Sequence, residues 1–307
     1  MKIFDEAATR EALAFDLLIE RLRSMFKDGC NVPERHVHKV QTQAASGTVL
    51  IMPAWTDRYL GIKTVNIFPG NASRGLPGLF SAYTLFDSTT GEVLAQMDGN
   101  VITSRRTAAA SALAASYLAR KDARKLLVIG AGRVASLLPF AYREVMQLDS
   151  VEVWARSDAS AEALAASLST QGIRATAVRD VEAAAMRADV VSCATLATDP
   201  VLRGEWLRDG VHVDLIGSFT PQMREADDAV FAGASLFVDT AEALKKSGEL
   251  LGPMSRAVFS ASDVAGDLSQ LCASQVVGRR HDDERTVFKS VGTALEDLAA
   301  AIAVFET

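Results

Sequence analysis

The stretch KLLVIGAGRVAS, residues 125–136, is the strongest indication of the fold of this chain. A short apolar run, typical of a buried strand, leads into Gly130-Ala131-Gly132-Arg133-Val134-Ala135, and a helical pattern follows. In this G-x-G-x-x-A arrangement Gly130 permits the tight turn, Gly132 lets the main chain approach a pyrophosphate, and Ala135 lets the helix pack close to the strand. Free N–H groups at the start of a helix favour phosphate. We therefore expect residues 130–134 to bind a dinucleotide.

Strand-like and helix-like segments alternate from residue 124 onward. Apolar runs of strand length recur at VEVWARS (151–157), DVVSCAT (189–195) and VHVDLIG (211–217), and alanine-rich helical segments lie between the first two. This alternation predicts a Rossmann-type, doubly wound parallel sheet of the α/β class. Residues 34–97 instead consist of short runs bounded by Gly, Pro, Asn and Asp, which is typical of strands and hairpins.

The second strand of this unit predicts which dinucleotide binds. A carboxylate at its end would accept hydrogen bonds from the ribose hydroxyls and repel a 2′-phosphate, but VEVWARS ends in Arg156 and Ser157. A guanidinium fork suits phosphate, and a serine hydroxyl can also donate. We therefore predict NADPH as the preferred cofactor and NADH as the weaker one. The alternative is that Arg156 is a solvated loop arginine, and Asp158 would have to reach back to favour NAD.

Composition and charge exclude several functional classes. The 307 residues are 49% hydrophobic, enough for a large core, and the net charge of −6 gives no footprint for nucleic acid. No basic leader or apolar run of membrane length is visible, so we expect a cytoplasmic protein without a membrane partner. The scattered cysteines Cys30, Cys193 and Cys272 predict buried thiols, and with four dispersed histidines they predict no metal site.

Several segments together resemble the ornithine cyclodeaminase/μ-crystallin family nearly end to end. The resemblance is carried by LIMPAW (50–55), GIKTVNIFPGN (61–71), GLPG (75–78), TSRRTAAAS (103–111), the glycine loop, HVDLIGSFTPQMRE (212–225) and TVFKSVGTALED (286–297). It implies an α+β substrate-binding and dimerisation domain made of residues 1–105 and 286–307, with the Rossmann domain, residues 106–285, inserted in it. It also implies a homodimer and a small imino or amino acid as substrate.

The resemblance assigns roles to Arg35, Lys63 and Arg106. Arg35 and Arg106 match the carboxylate-binding arginines of the family, and a cation that does not titrate suits that task. Lys63 matches the active-site lysine, expected to hold the substrate and to supply or relay a proton to the imine nitrogen. The alternative for Lys63 is a paired core lysine. Met52 is expected to contact the substrate.

Position along the predicted sheet adds three cofactor contacts. Thr195 and Leu196 follow the fourth strand at its carboxyl end, where a nicotinamide lies in this fold, and Ser218 follows the fifth strand. Two interpretations of Lys289 remain open: it is a structural anchor or a catalytic group.

The loop after the fifth strand favours one reaction of the family. Cyclodeaminating members resemble one another in carrying an Asp just beyond the glycine of this strand, whereas GSFTPQ (217–222) has no carboxylate. Oxidation of an amine needs a base for the ammonium proton, but a protonated imine needs only an anchor and a hydride. We therefore expect an NADPH-dependent reductase that converts Δ1-pyrroline-2-carboxylate to L-proline, and Δ1-piperideine-2-carboxylate to L-pipecolate. An ornithine cyclodeaminase or alanine dehydrogenase-type enzyme, and a non-enzymatic NADPH-binding protein, remain as alternatives.

Overall fold

Two units make up the computed structural model, which describes residues 1–307 apart from the side chain of Ala72. The first unit consists of Met1–Arg106 and Thr293–Thr307, and the second of Thr107–Gly292. The sequence predicts the second boundary after residue 285, but the structure places residues 286–292 in the second unit. The reason is that Thr286–Lys289 forms a strand within its parallel sheet.

The secondary structure follows the chain in two stages. The first stage contains β1 (Lys2–Phe4), α1 (Glu6–Ala12), α2 (Phe15–Asp28), β2 (His36–Gln41), β3 (Ser46–Trp55), β4 (Tyr59–Ile67), β5 (Leu79–Asp87), β6 (Val93–Asp98) and α3 (Gly99–Leu118). The second contains β7 (Lys125–Ile129), α4 (Leu138–Tyr142), β8 (Ser150–Trp154), α5 (Asp158–Thr170), β9 (Ala175–Ala177), α6 (Val181–Arg187), β10 (Val190–Cys193), β11 (His212–Leu215), α7 (Asp228–Phe231), β12 (Ser235–Val238), α8 (Ala243–Lys246), α9 (Gly248–Ser255), β13 (Val264–Asp267), α10 (Leu268–Cys272), β14 (Thr286–Lys289) and α11 (Ala294–Glu306).

The first unit is a six-stranded sheet in the order β1-β6-β5-β4-β3-β2, with α11 packed against β3, β4 and β5. Alternate residues of β4 are buried, namely Tyr59, Gly61, Lys63 and Val65, as the two-residue period of a strand requires. Position 61 has room only for glycine, because an added Cβ would lie 1.9 Å from the hydroxyl oxygen of Tyr83 on β5. The face of β4 that carries Lys63 is therefore the buried face.

The second unit is an eight-stranded sheet in the order β13-β12-β14-β11-β10-β7-β8-β9, and all its strand pairs are parallel. This confirms the doubly wound prediction. The strand order reverses between β7 and β10, which is the topological switch point where ligands bind in such sheets. The helix predicted directly after the glycine loop is shorter than expected. A bend at Gly132 and turns at residues 133–137 precede α4, which spans only five residues.

No helix among the described residues is long and apolar enough to cross a membrane.

Candidate active site

A buried ion pair joins β4 to the first turn of α11. Lys63 is 2% exposed, and its Nζ lies 2.6 Å from Oδ2 of Asp297. The same Nζ donates a hydrogen bond of 3.3 Å to Thr103 Oγ1. Burial lowers the pKa of Lys63 to about 8, although the Asp297 carboxylate opposes that shift. Lys63 is therefore poised to exchange a proton near neutral pH.

Arg106 shares the same carboxylate from the other side. Its Nε donates to Asp297 Oδ1 at 2.9 Å, and its guanidinium also pairs with Glu296. Burial would lower the pKa of Arg106, but Glu296 and Asp297 outweigh burial and raise it. Burial likewise would raise the pKa of Asp297, but Lys63 and Arg106 lower it. Two cations and two carboxylates thus balance, and both cations are held in place before any ligand arrives.

The strand register places further candidates in one row with Lys63. Met52 on β3 and Tyr83 on β5 stand directly opposite Lys63, and both are buried. His36 pairs with Ile51, so Arg35 precedes β2 at the level of Met52. Directly opposed residues of antiparallel strands point to the same face of a sheet. Met52, Lys63 and Tyr83 therefore stand in one cross-strand row. The assignment of Arg35, Met52 and Lys63 to the substrate site stays a prediction.

Three residues of this site escaped the sequence analysis. Glu296 and Asp297 close the motif TVFKSVGTALED, and two adjacent acids in an otherwise apolar terminal helix were the available signal. Tyr83 is 1% exposed, and its hydroxyl has no hydrogen-bond partner within the part of the chain that the structure describes. Burial, and then the nearby Asp297 charge, raises the pKa of Tyr83 well above its usual range.

The glycine loop of the second unit fits a dinucleotide. Gly130 has φ of +124°, and an added Cβ would lie 2.5 Å from Ala194 O, so only glycine suits this close contact. An added Cβ at Gly132 would meet no heavy atom within 4 Å. The space above Gly132 is therefore open to a pyrophosphate. Ala131, Arg133 and Val134 complete the loop, and Arg133 is exposed.

The end of β8 presents the predicted phosphate-binding residues to solvent. Arg156 and Ser157 are exposed, and Ser157 is the N-cap of α5, where its hydroxyl accepts a hydrogen bond from Ser160 N at 3.3 Å. Asp158, the carboxylate that could favour NAD, pairs with Arg179 at 3.2 Å. Its carboxylate therefore already has a cationic partner, and the preference for NADPH stays a prediction.

The residues predicted to bind the cofactor at the switch point differ in their exposure and in their hydrogen bonds. Leu196 is 78% exposed, whereas Thr195 donates through both its main-chain N (2.7 Å) and its hydroxyl (2.8 Å) to Glu225 Oε1. Ser218 is fully buried, and its hydroxyl donates to Met223 O at 2.5 Å and contacts Ser247 Oγ at 3.0 Å. The hydroxyls of Thr195 and Ser218, like Thr195 N and Ser218 O, are thus already engaged within the protein.

Lys289 is fully buried in β14, and its hydrogen-bond partners lie in the second unit. Its Nζ donates to Leu215 O at 2.8 Å and to Ser290 O at 2.5 Å. Burial lowers its pKa, and the surrounding carboxylates, Glu225 first among them, oppose that change. These contacts favour the structural interpretation of Lys289. Among the described residues, no group of three or more His, Cys, Asp or Glu side chains could hold a metal ion.

Comparison with known proteins decides the family. The sequence matches the model of the ornithine cyclodeaminase/mu-crystallin family over residues 5–307. This chain belongs to that family. The family membership predicted from the sequence motifs is therefore confirmed.

Δ1-pyrroline-2-carboxylate reductases are among the relatives of this chain. A Δ1-pyrroline-2-carboxylate reductase of Paracoccus denitrificans is 43% identical over 280 residues, which cover 90% of this chain and 88% of the relative. The structure of Thermococcus litoralis Δ1-pyrroline-2-carboxylate reductase, in complex with NADH and L-proline, has a TM-score of 0.93 at 31% identity and covers 100% of this chain and 97% of that one.

A second structure represents another reaction on the same fold. An archaeal alanine dehydrogenase dimer with bound NAD has a TM-score of 0.91 at 30% identity, and it covers 100% of this chain and 95% of that one. The predicted fold and the predicted oxidoreductase class are therefore confirmed. Both structures hold a nicotinamide cofactor without the 2′-phosphate, so the preference for NADPH stays a prediction.

Proposed function

We propose that this protein is an NADPH-dependent ketimine reductase, which converts Δ1-pyrroline-2-carboxylate to L-proline and Δ1-piperideine-2-carboxylate to L-pipecolate. The observation that carries the proposal is the buried Lys63–Asp297 pair, since it keeps an ammonium group ready to donate a proton. The segment GSFTPQ (217–222), which has no carboxylate, adds support because amine oxidation would call for a base there.

The first unit supplies anchoring and a proton. Two arginines would bind the substrate carboxylate, because guanidinium groups pair with carboxylates in a planar fork. They are Arg106, which Asp297 and Glu296 hold in place, and Arg35, which precedes β2. Lys63 would hydrogen-bond the imine nitrogen and transfer its proton to it. Protonation makes the imine carbon more electrophilic. Proton on nitrogen and hydride on carbon together convert C=N to CH–NH.

The second unit would bind the cofactor, which supplies the hydride when bound. Gly130 and Gly132 would admit the pyrophosphate, and Leu196 with the main chain of Thr195 and Ser218 would lie near the nicotinamide. Arg156 and Ser157 would bind the 2′-phosphate, and this contact is the basis for preferring NADPH over NADH.

The uncovered face of the six-stranded sheet suits a second copy of this chain. Trp55 and Phe80 are 38% and 44% exposed, and Pro53, Ile62 and Phe86 on the same face are only partly buried. An apolar sheet face of this kind marks an interaction surface. The alanine dehydrogenase of the same fold is a dimer, which supports a homodimer here. Sedimentation of wild type and Phe80→Arg should show a dimer and a monomer, respectively.

A substrate panel tests the proposed reaction. The purified protein is mixed with NADPH and either Δ1-pyrroline-2-carboxylate or Δ1-piperideine-2-carboxylate, and the nicotinamide absorbance is followed. We expect imine-dependent oxidation of NADPH. Ammonia release from L-ornithine with NAD, without any imine reduction, would establish a cyclodeaminase instead. Binding of NADPH without turnover of any substrate in the panel would leave the non-enzymatic alternative.

A further inference from the structure

Glu225 joins the two loops that leave the carboxyl ends of β10 and β11. Its Oε1 accepts hydrogen bonds from Thr195 N and Oγ1 at 2.7 and 2.8 Å, and its Oε2 accepts one from Gly217 N at 2.6 Å. Glu225 is fully buried. One carboxylate therefore fixes the first residues of both loops at the switch point of the sheet.

The two loops are in direct contact at this carboxylate. An added Cβ at Gly217 would lie 2.0 Å from Thr195 O and 2.4 Å from Glu225 Oε1, both shorter than any normal contact. Only glycine leaves room for this approach. The spacing between the loops is thus set by a glycine on one side and by the length of the Glu225 side chain on the other.

The position of Glu225 is itself fixed by its main chain. The N–H groups of Glu225 and Ala226 donate to the Glu249 carboxylate at 2.7 and 2.8 Å, and Glu225 O accepts from Val201 N and Leu202 N at 2.8 and 3.0 Å. Burial raises the pKa of Glu225, and the Lys289 ammonium and the hydrogen bonds from Thr195 oppose that shift. Burying such an acid is costly, so its full set of partners indicates that its geometry matters.

We propose that Glu225 is a positioning residue for the nicotinamide end of the cofactor, acting through the Thr195 and Gly217 loops. The proposal rests on the cofactor-binding part of the proposed function and not on the identity of the imine. Glu225 acts on the cofactor only through these two loops and does not contact it. Its carboxylate holds the loops at the separation that the nicotinamide ring requires, whereas the adenosine half depends on the glycine loop and the end of β8.

Glu225→Gln tests this role, because an amide cannot accept from N–H groups at both ends. Its NH2 group would face either Thr195 N or Gly217 N, and the loops would have to separate. The experiment compares two ligands, NADPH and 2′-phospho-ADP-ribose, which lacks the nicotinamide. We expect the variant to bind NADPH about tenfold more weakly and to bind 2′-phospho-ADP-ribose within twofold of wild type. If wild type prefers NADH, the pair becomes NADH and ADP-ribose.

Controls separate positioning from general loss of structure. Tyr142→Phe removes a buried hydrogen bond of 3.0 Å to Asp214 Oδ2 in the same unit, and it should lower the melting temperature without separating the two ligands. Should Glu225→Gln fail to fold, Glu249→Gln, which loosens the main chain of Glu225, takes its place and should show the same separation. Equal weakening of both ligands, or no weakening of either, overturns the proposal. Neither result depends on imine turnover, so failure of the proposed reaction remains distinguishable.

Discussion

Lys63 Nζ and Asp297 Oδ2 lie 2.6 Å apart in the interior of the first unit, on a central strand and on the terminal helix. Asp297 also binds Arg106, so one carboxylate sets the positions of both cations proposed to act on the substrate. Breaking a buried ion pair on one side leaves an uncompensated charge, which is far more costly than losing a surface pair.

Asp297→Asn should therefore reduce both stability and activity. We expect the free energy of unfolding to fall by roughly 3 kcal/mol, and kcat/KM for the imine to fall by about 100-fold, because Lys63 and Arg106 lose their common partner. Denaturant unfolding and steady-state kinetics measure the two effects.

Glu306→Gln is the matched control, since Glu306 pairs with Arg21 at 2.9 Å at the exposed end of the same helix. A change of at most about 1 kcal/mol is expected for it. Similar losses in both variants would contradict the special role of Asp297.

The pH dependence of kcat/KM should report the ionisation of Lys63. Burial lowers the pKa of Lys63 to about 8, so the ammonium is present below that pH and is lost above it. Activity that needs the proton should be full below about pH 8 and should decline above it. Lys63→Arg keeps a positive charge at all these pH values, so this variant should be slower but should lack the decline. If the same decline persists in Lys63→Arg, it belongs to another group, such as the substrate.

Arg156→Asp should discriminate between the two cofactors. Loss of charge-assisted hydrogen bonds to a 2′-phosphate, with repulsion added, should raise KM for NADPH by about 100-fold and change KM for NADH by less than about threefold. Arg174→Asp provides the same charge change on an exposed residue that precedes β9, and it should affect neither cofactor. Equal effects of Arg156→Asp on NADPH and NADH would show that Arg156 does not contact the 2′-phosphate.

Gly61→Ala should destabilise the sheet next to Lys63. The new Cβ would lie 1.9 Å from Tyr83 Oη, and overpacking of this kind costs about 1–3 kcal/mol. Gly70→Ala is the control, because an added Cβ there meets no atom within 4 Å. Thermal unfolding of both variants gives the comparison. An unchanged melting temperature in Gly61→Ala would mean that Tyr83 can move away without loss.

Local signals were enough to predict most of the fold. The G-x-G-x-x-A loop, the alternation of strands with alanine-rich helices, and the hairpin texture of residues 34–97 each depend on neighbouring residues, and each led to the correct class of structure. The position of β14 did not follow from local pattern, because Thr286–Lys289 inserts between β11 and β12, which come earlier in the chain. Only tertiary pairing decides that placement.

The candidate site divides in the same way. Lys63, Arg35 and Arg106 could be selected from residue type and motif, but their partners could not. Arg106 and Asp297 are 191 positions apart in the sequence, and nothing near either residue indicates the contact. The motif that contains Asp297 was visible, but its role required the packing of α11 on β4. Likewise, the buried hydroxyl bonds of Ser218 depend on α9, which the sequence did not place beside it.

The destination of the hydride shows whether this protein reduces a ketimine. The protein would be incubated with Δ1-pyrroline-2-carboxylate and NADPH deuterated at nicotinamide C4, using each C4 stereoisomer in turn, and the product examined by NMR and mass spectrometry. We expect L-proline with a single deuterium at C2 from one of the two isomers. Absence of proline, or proline without deuterium from either isomer, would contradict ketimine reduction by this protein.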